Sequence, residues 1–227
     1  PGAEHDGRDF LEPALAAGAA AVLMEPGREL HQDDVRVIPI SGLKGELGAL
    51  ANRLYGSPSG DLKVVAATGT NGKTSVVDLT AQMLRRTGRK TGTIGTLGMR
   101  LDQQPTETRN TTPDCFALHR QLRQWRDHGV ECVALEASSH ALDQGRLDGL
   151  AIDVGVFTNL SRDHLDYHQS MDAYCEAKLK LFREFEPASR SYNADDEAVV
   201  AHPDVWRLGG FGVSIASANA EISIEVE

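Results

Sequence analysis

Basic residues are scarce in this sequence relative to acidic ones. Lys and Arg number 23 against 33 Asp and Glu, so the formal net charge is −10. Proteins that bind nucleic acid regardless of its sequence neutralise the phosphates with Lys and Arg, so this composition argues against nucleic acid as a partner. An anionic small molecule is compatible with such an acidic chain only where its binding site is locally positive.

Cysteine is also rare, and the three thiols lie far apart in the sequence. Cys115, Cys132 and Cys175 form no C-x-x-C pair. An odd number of cysteines without metal-ligand spacing is typical of proteins in the reducing cytoplasm. We therefore expect a cytoplasmic protein in which all three are small core residues.

The sequence lacks an unbroken apolar run of membrane-spanning length. The apolar stretch 11–24 is interrupted by Glu12, Pro13 and Gly18, and it is shorter than the roughly 20 residues that cross a bilayer. It also has no basic flank of the kind that signal peptides carry, so we expect no membrane insertion. The chain begins with Pro1 in a segment of loop composition, which predicts a fragment of a longer protein.

Turn-forming residues indicate a domain boundary in the first third of the chain. The segment 55–61 reads Tyr-Gly-Ser-Pro-Ser-Gly-Asp and is dense in residues that end helices and strands. Before it, residues 43–54 have the leucine spacing of a helix. We predict the remnant of a small α/β domain at residues 1–44 and a larger domain at residues 45–227.

Beyond this boundary, short apolar strands alternate with helices. The predicted strands are residues 63–67, 131–135 and 153–157. The predicted helices are residues 74–87, 116–128 and 171–185. This alternation predicts an α/β fold with a doubly wound, mostly parallel sheet. Ligands of such sheets bind beyond the carboxyl ends of the strands, which points to the segments 68–75, 136–140 and 158–168.

The first of these segments has the composition of a phosphate-binding loop. Glycines let backbone N–H groups turn toward phosphate oxygens, and the helix that follows directs its positive end at the same anion. Lys73 can reach the β- and γ-phosphates of a nucleotide, and Thr74 can hold Mg²⁺. The first glycine of the general G-x-x-x-x-G-K-[ST] pattern is replaced by Ala67, and the alternative is a glycine-rich turn with a surface lysine. The predicted nucleotide-binding residues are Gly69, Thr70, Asn71, Gly72, Lys73, Thr74 and Ser75.

Two further segments carry candidate metal ligands. Glu136 ends a predicted strand beside the loop, and its carboxylate oxygens suit Mg²⁺; a solvated loop residue is the alternative. His164 and His168 are four residues apart, as in some helical zinc sites, but no third soft ligand has matching spacing. We therefore do not take zinc as the first interpretation of this pair.

Lys178 lies on the apolar side of a predicted helix. It is four residues after Tyr174 and four before Phe182, so it shares their face, whereas Lys180 falls on the opposite, solvated side. The ordinary interpretation is a lysine that extends its amine to water. The other is a buried amine with a lowered pKa.

Two motifs resemble the Mur ligase superfamily, which also contains the folylpolyglutamate synthases. One is Gly-Thr-Asn-Gly-Lys-Thr at 69–74, and the other is segment 159–168, which matches Asn-x-x-x-Asp-His-Leu-Asp-x-His. The resemblance implies an ATP-dependent ligase that phosphorylates a carboxylate before an amine displaces the phosphate. It also implies catalytic roles for Lys73, His164 and Lys178, the last carbamylated by CO₂. The implied metal ligands are Thr74, Glu136, His164 and the Lys178 carbamate.

Segments 110–114 and 138–146 resemble the branch of this family that adds the third amino acid to the cell-wall peptide precursor. The partners implied are UDP-MurNAc-L-Ala-D-Glu and free meso-diaminopimelate or L-lysine, used by a cytoplasmic monomer in peptidoglycan synthesis. The resemblance implies that the UDP-dipeptide contacts Asn110, Thr111, Thr112, Ser138, Gln144 and Arg146.

Parts of the family's plan are not found in the sequence. We expect the segment that holds uridine to be missing or cut and the C-terminal amino-acid-binding domain to be absent, and hence little catalysis by the chain alone. Two alternatives stay open: a folylpolyglutamate synthase-like ligase and a non-catalytic nucleotide-binding module. Both share the phosphate loop.

Overall fold

A computed structural model describes residues 6–26, 34–101, 104–106, 111–207, 209–216 and 222–223. Asn110, one of the predicted substrate contacts, lies outside the described residues. The chain divides into two compact units, Pro1–Leu47 and Gly48–Glu227. The predicted division at residue 44 stays a prediction, and the helix Leu43–Leu54 crosses both positions.

The first unit is a small α/β arrangement. A 3₁₀ turn, Gly7–Phe10, leads into helix α1, Leu11–Ala16. Strands β1 (Val22–Met24) and β2 (Val37–Pro39) pair in parallel. Leu11, Leu15 and Met24 form its buried cluster.

The second unit begins within helix α2, Leu43–Leu54, which is followed by a 3₁₀ turn at Pro58–Asp61. Strands and helices alternate through most of its length. The strands within the described residues are β3 (Lys63–Thr68), β4 (Thr91–Gly95), β5 (Gly98–Leu101), β6 (Gln104–Thr106), β7 (Cys132–Glu136), β8 (Val154–Phe157), β9 (Ser189–Asn193), β10 (Gly210–Ser214) and β11 (Ile222–Ser223). The helices are α3 (Lys73–Arg86), α4 (Cys115–Asp127), α5 (Ser139–Asp143), α6 (Leu165–His168), α7 (Met171–Arg183), α8 (Glu197–Val200) and α9 (Pro203–Trp206).

These strands form one mostly parallel sheet, as predicted. Its order is β11-β10-β9-β8-β3-β7-β4-β5-β6, with only β5 and β6 antiparallel to their neighbours among the described strands. β3 is paired with β7 on one side and β8 on the other, so Ala67 lies opposite Glu136 and Thr68 opposite Phe157. The carboxyl ends of three adjacent strands therefore meet at one edge.

Both faces of the sheet are covered, which is the arrangement that a doubly wound fold requires. Alternate residues of a strand point to opposite faces. Ala67 packs with Val77 and Ala81 of α3, whereas Ala66 belongs to the larger cluster that contains residues of α4 and α7 such as Leu122 and Phe182. Burial on both faces explains why β3 is apolar along nearly its whole length.

Several strands were not predicted. β4 reads Thr-Gly-Thr-Ile-Gly and β9 reads Ser-Arg-Ser-Tyr-Asn, and neither has the apolar run of β3. Their strand conformation comes from pairing with neighbours, such as β4 with β7, rather than from local preference. Among the described residues, no helix is both long and apolar enough to cross a membrane.

Candidate nucleotide and magnesium site

The phosphate loop, Gly69–Thr74, leaves the central strand β3 and runs directly into α3. Gly69 has φ +139° and Gly72 has φ +83°, conformations that residues with a side chain rarely adopt. A β-carbon on Gly69 would lie 1.9 Å from the Thr158 hydroxyl oxygen. Glycine is therefore required at position 69 by both conformation and space.

The segment after β8 holds the phosphate loop in shape. The Thr70 N–H donates to the Asn159 carbonyl at 2.9 Å, and the Asn71 N–H donates to Asn159 Oδ1 at 2.9 Å. Thr158 Oγ1 donates to the Asn71 carbonyl at 2.6 Å, and Ser161 N–H donates to Thr70 Oγ1 at 3.0 Å. These bonds fix the loop before any ligand binds.

Lys73 lies over the loop rather than in solvent. Its Nζ donates to the carbonyls of Gly69 and Thr70, each at 2.9 Å. Burial lowers the pKa of Lys73, while the carboxylates of Glu136 and Asp163 partly oppose that shift. The amine is thus held beside the loop. There it can replace one of its hydrogen bonds to a carbonyl with a hydrogen bond to a phosphate oxygen of the ligand.

Glu136 is buried, with 2% exposure, at the end of β7. Its Oε1 accepts from Thr74 Oγ1 at 2.9 Å and from the Thr96 N–H at 2.8 Å, and its Oε2 accepts from Thr96 Oγ1 at 3.2 Å. A β-carbon on Gly95 would lie 2.2 Å from Oε1. The residues after the unpredicted strand β4 therefore set the position of this carboxylate.

The oxygen atoms of Glu136 and Thr74 fit a magnesium ion. The described residues contain no group of three His, Cys, Asp or Glu side chains placed to hold a metal. Mg²⁺ commonly binds through one or two protein oxygens, with phosphate oxygens and water as its other ligands. A carboxylate and a hydroxyl beside a phosphate loop are ligands of this kind. They do not form the set of four N and S ligands that a structural zinc site has.

Lys178 is buried, with 1% exposure, and does not extend to solvent. Its Nζ donates to the Gly69 carbonyl at 2.8 Å and lies 4.2 Å from the centre of the Tyr174 ring. Burial, aided by the charge of Lys73, lowers the pKa of Lys178 to about 7. A large fraction of this amine is therefore neutral near physiological pH. The hydroxyl of Tyr174 donates to Thr70 Oγ1 at 3.3 Å, so one face of α7 contacts the loop twice.

Lys180 is partly exposed, in line with its predicted place on the solvated side of the helix, and its amine is also paired. Its side chain is 32% exposed, and Nζ pairs with Asp143 Oδ1 at 3.1 Å. Helical spacing alone could not show that α5 packs beside α7 and places a carboxylate there.

His164 begins α6 in a left-handed conformation, with φ 51°. Its side chain is 47% exposed, and its ring centre lies 4.8 Å from that of His140. The His168 ring is buried and lies 5.5 Å from that of His140. His140, which was not singled out from the sequence, thus joins the two predicted histidines.

A second part of the site is formed by Thr111, Thr112 and residues 138–146, and we call it the Arg146 wall. Thr112 is buried, and its hydroxyl donates to the Glu136 carbonyl at 2.8 Å. Arg146 donates from Nη1 to the Thr112 carbonyl and from Nε to Gln144 Oε1, each at 2.9 Å. Ser138 caps α5 by accepting from the Ala141 N–H at 3.2 Å.

The phosphate loop and the Arg146 wall share one cavity of about 480 Å³. Its lining residues are Thr70, Asn71, Gly72, Lys73, Thr74, Thr96, Thr111, Thr112, Glu136, Ser138, His140, Arg146 and His164. Of the predicted site residues that the structure describes, four do not line it: Gly69, Ser75, Gln144 and Lys178. Gly69 begins the loop, and its carbonyl accepts from the buried Lys178 amine, while Gln144 supports Arg146. Ser75 is exposed in the first turn of α3, outside the cavity lining.

The combination of this sheet, loop and cavity corresponds to a known family. The family model for the Mur ligase middle domain matches residues 67–223, and the chain belongs to this family. It is similar to UDP-N-acetylmuramoyl-L-alanyl-D-glutamate--2,6-diaminopimelate ligase of Ectopseudomonas mendocina (strain ymp), with 45% identity over 225 residues. That match covers 96% of this chain and 46% of the relative.

Two other comparisons agree. The ligase of the same name from Pseudomonas aeruginosa (strain PAO1) is 48% identical over 199 residues, covering 87% of this chain and 41% of the relative. A solved structure of a ligase of this name superposes with a TM-score of 0.82 at 32% identity, covering 96% of this chain and 45% of that one. The chain thus spans less than half the length of the relatives that it matches.

Proposed function

We propose that this chain is the nucleotide-binding part of an ATP-dependent ligase of peptidoglycan-precursor synthesis. The reaction joins a free amino acid to UDP-MurNAc-L-Ala-D-Glu. The names of the similar ligases favour 2,6-diaminopimelate over L-lysine as that amino acid. The observation that carries the proposal is the meeting of the phosphate loop, Glu136 and Arg146 around one cavity, because a nucleotide and a carboxylate must meet for acyl phosphorylation.

The residues support a two-step amide synthesis. A carboxylate oxygen of the dipeptide attacks the γ-phosphorus of ATP, and ADP leaves with the electron pair of the broken P–O bond. The amine then attacks the acyl carbon, and phosphate leaves as the amine loses its proton. Lys73 neutralises charge that shifts during phosphoryl transfer, and Arg146 offers N–H groups suited to a carboxylate.

Magnesium would be held by Glu136 and Thr74, with His164 on the same cavity as the further ligand that the family resemblance implies. When bound, Mg²⁺ neutralises the charge of the phosphate oxygens. Thr96 and Gly95 support the site by keeping the Glu136 carboxylate turned toward the loop.

We also propose that Lys178 is carbamylated, which the resemblance implies and its surroundings support. The neutral amine forms an N–C bond with CO₂, releases a proton and becomes a carboxylate. The low pKa of about 7 supplies the neutral amine at physiological pH. Exposure to ¹³C-bicarbonate should give a labelled carbamate by NMR, and Lys178→Ala should lose that signal while Lys180→Ala keeps it. Equal labelling in Lys178→Ala would contradict the assignment.

The nucleotide part of the proposal is tested with Lys73→Ala. Loss of a charged hydrogen-bond donor to phosphate should weaken Mg-ATP binding at least about 30-fold in calorimetry. Lys90→Ala is the matched control, since the Lys90 amine donates to the His128 carbonyl at 2.9 Å and Lys90 does not line the cavity. Unchanged ATP affinity in Lys73→Ala would contradict the phosphate-loop assignment.

The substrate part is tested by comparing UDP-MurNAc-L-Ala-D-Glu with a folate in the same calorimetric experiment. We expect the chain to bind the UDP-dipeptide and not the folate, since the Arg146 wall carries the branch-specific residues. Preference for folate would favour the folylpolyglutamate synthase alternative. Binding of ATP with neither acceptor would favour the non-catalytic module. Residues 1–44 as part of a UDP-substrate domain, and a monomeric, cytoplasmic state, complete the proposal.

A further inference from the structure

Arg146 owes its position to a series of side chains that run away from the cavity. Its guanidinium contacts Gln144 Oε1 through Nε and Nη2, and Gln144 Nε2 donates to the Tyr167 hydroxyl at 3.3 Å. That hydroxyl donates to Asp143 Oδ2 at 2.9 Å, and Asp143 Oδ1 accepts from Lys180 at 3.1 Å. We call Lys180, Asp143, Tyr167 and Gln144 the Arg146 support.

Every bond in the Arg146 support has a fixed direction. A lysine ammonium can only donate and a carboxylate can only accept, so the Tyr167 hydroxyl gives its proton to Asp143. Its oxygen is then an acceptor for Gln144, which must present its amide NH₂ to Tyr167 and its oxygen to Arg146. Without the tyrosine hydroxyl, the Gln144 amide would lose the bond that holds its nitrogen, and its oxygen would be held only by Arg146 itself.

The ring of Tyr167 is fixed as well. Its centre lies 4.3 Å from that of His140 and 4.7 Å from that of His168. His168 is buried at the end of α6. Removal of the hydroxyl alone, in Tyr167→Phe, would therefore leave the ring contacts in place.

The support leaves part of Arg146 available to a ligand. A guanidinium has five N–H groups, and the bonds to Gln144 and Thr112 use three of them. The remaining N–H groups, one on each Nη, suit the two oxygens of a carboxylate. Arg146 lines the cavity, so its orientation decides whether both can be used.

We propose that Tyr167 and Asp143 are positioning residues for the carboxylate-bearing acceptor, because they fix the Gln144 amide that holds Arg146. The role rests on the proposed function only for the identity of that acceptor. Lys180 completes the support from α7, the helix that also carries Lys178. None of these three residues lines the cavity, so each acts through Arg146.

The first experiment needs no substrate. Phenylglyoxal modifies free guanidinium groups, and mass spectrometry gives the rate at Arg146 in the unliganded chain. Tyr167→Phe and Asp143→Ala should raise this rate about 3- to 10-fold, the range that one lost hydrogen bond allows. Asp172→Ala is the matched control, because it removes an exposed carboxylate from the first turn of α7. Arg123, paired with Asp127, is the internal reference. An unchanged Arg146 rate in both variants would overturn the proposal.

The second experiment separates positioning from general destabilisation. By calorimetry, Tyr167→Phe should weaken UDP-MurNAc-L-Ala-D-Glu binding about 3- to 10-fold and leave Mg-ATP binding unchanged. Equal losses for both ligands would overturn the proposal in favour of a structural role. If the unaltered chain binds ATP but not the UDP-dipeptide, the proposed acceptor is wrong, and the phenylglyoxal rates alone decide the role of Tyr167 and Asp143.

Discussion

On the phosphate-loop side of the cavity, most of the hydrogen bonds that set the geometry involve a main-chain atom, whereas the bonds that position Arg146 run mostly between side chains. The loop depends on two glycines with positive φ and on carbonyls that bind Lys73 and Lys178. The wall depends on two successive hydrogen bonds: Arg146 donates to the amide oxygen of Gln144, and the amide nitrogen of Gln144 donates to the Tyr167 hydroxyl. We therefore expect the loop to tolerate almost no substitution at its glycines. Substitutions in the Arg146 wall should instead weaken ligand binding by graded amounts.

Gly69→Ala should have the largest effect. A β-carbon would meet Thr158 Oγ1 in a conformation that already disfavours side chains, so we expect a loss of about 2–4 kcal/mol in unfolding free energy and no detectable ATP binding. Urea denaturation and calorimetry measure the two. Gly60→Ala is the control, because nothing lies within 4 Å of its β-carbon position. Equal effects of the two substitutions would contradict the comparison.

Lys178→Met should change how stability depends on pH. In the folded chain the amine loses its proton near pH 7, while in the unfolded chain it keeps the proton up to about pH 10.4. Unfolding between these values takes up a proton, so raising the pH stabilises the folded state. Between pH 7 and 9, we expect the unfolding free energy of the original chain to rise by about 2–3 kcal/mol more than that of Lys178→Met. Urea denaturation at both pH values measures this gain, and Lys180→Met should show none of this difference.

Gly95→Ala tests whether the end of β4 positions the metal ligand. Its β-carbon would press on Glu136 Oε1 and should weaken Mg-ATP binding about 10-fold, as expected for one displaced charged ligand. ATP binding without magnesium should change little. A loss that does not depend on magnesium would mean that Gly95 supports the loop rather than the carboxylate.

Ser138→Ala should have the smallest effect, because the wall has other supports. Loss of the helix cap on α5 should cost about 0.5–1 kcal/mol of unfolding free energy. If Ser138 also binds the UDP-dipeptide, as the sequence predicts, affinity for that ligand should fall further than stability explains. Thermal unfolding and calorimetry, compared with Asp114→Ala at the cap of α4, separate these effects.

Much of the fold and part of the site could be predicted from the sequence. The helix Leu43–Leu54 was predicted residue for residue, because its leucine spacing is local information. The rule that ligands bind beyond strand ends pointed to segments 68–75, 136–140 and 158–168, and each of them contributes residues to the cavity lining. These signals are carried by residues close together in the chain.

The supports of the site could not be predicted in this way. Gly95 ends, and Thr96 follows, a strand with a single large apolar residue, Ile94, so the sequence marks neither as part of the site. Their contact with Glu136 exists only because β4 pairs with β7. The bonds from Lys180 through Tyr167 to Arg146 likewise join elements whose packing no spacing rule describes.

The central place of β3 has a consequence for how sequences of this kind can change over evolution. Glu136 ends β7, and the segment that begins at Thr158 follows β8. Both strands pair with the same few residues of β3, so the positions of both site segments depend on β3. Inserting or deleting one residue in β3 would turn its side chains to the wrong face of the sheet. It would also shift the pairing of β7 and β8 with β3 at the same time. Length variation should therefore accumulate at the β5–β6 edge of the sheet, while the middle strands keep a constant residue count.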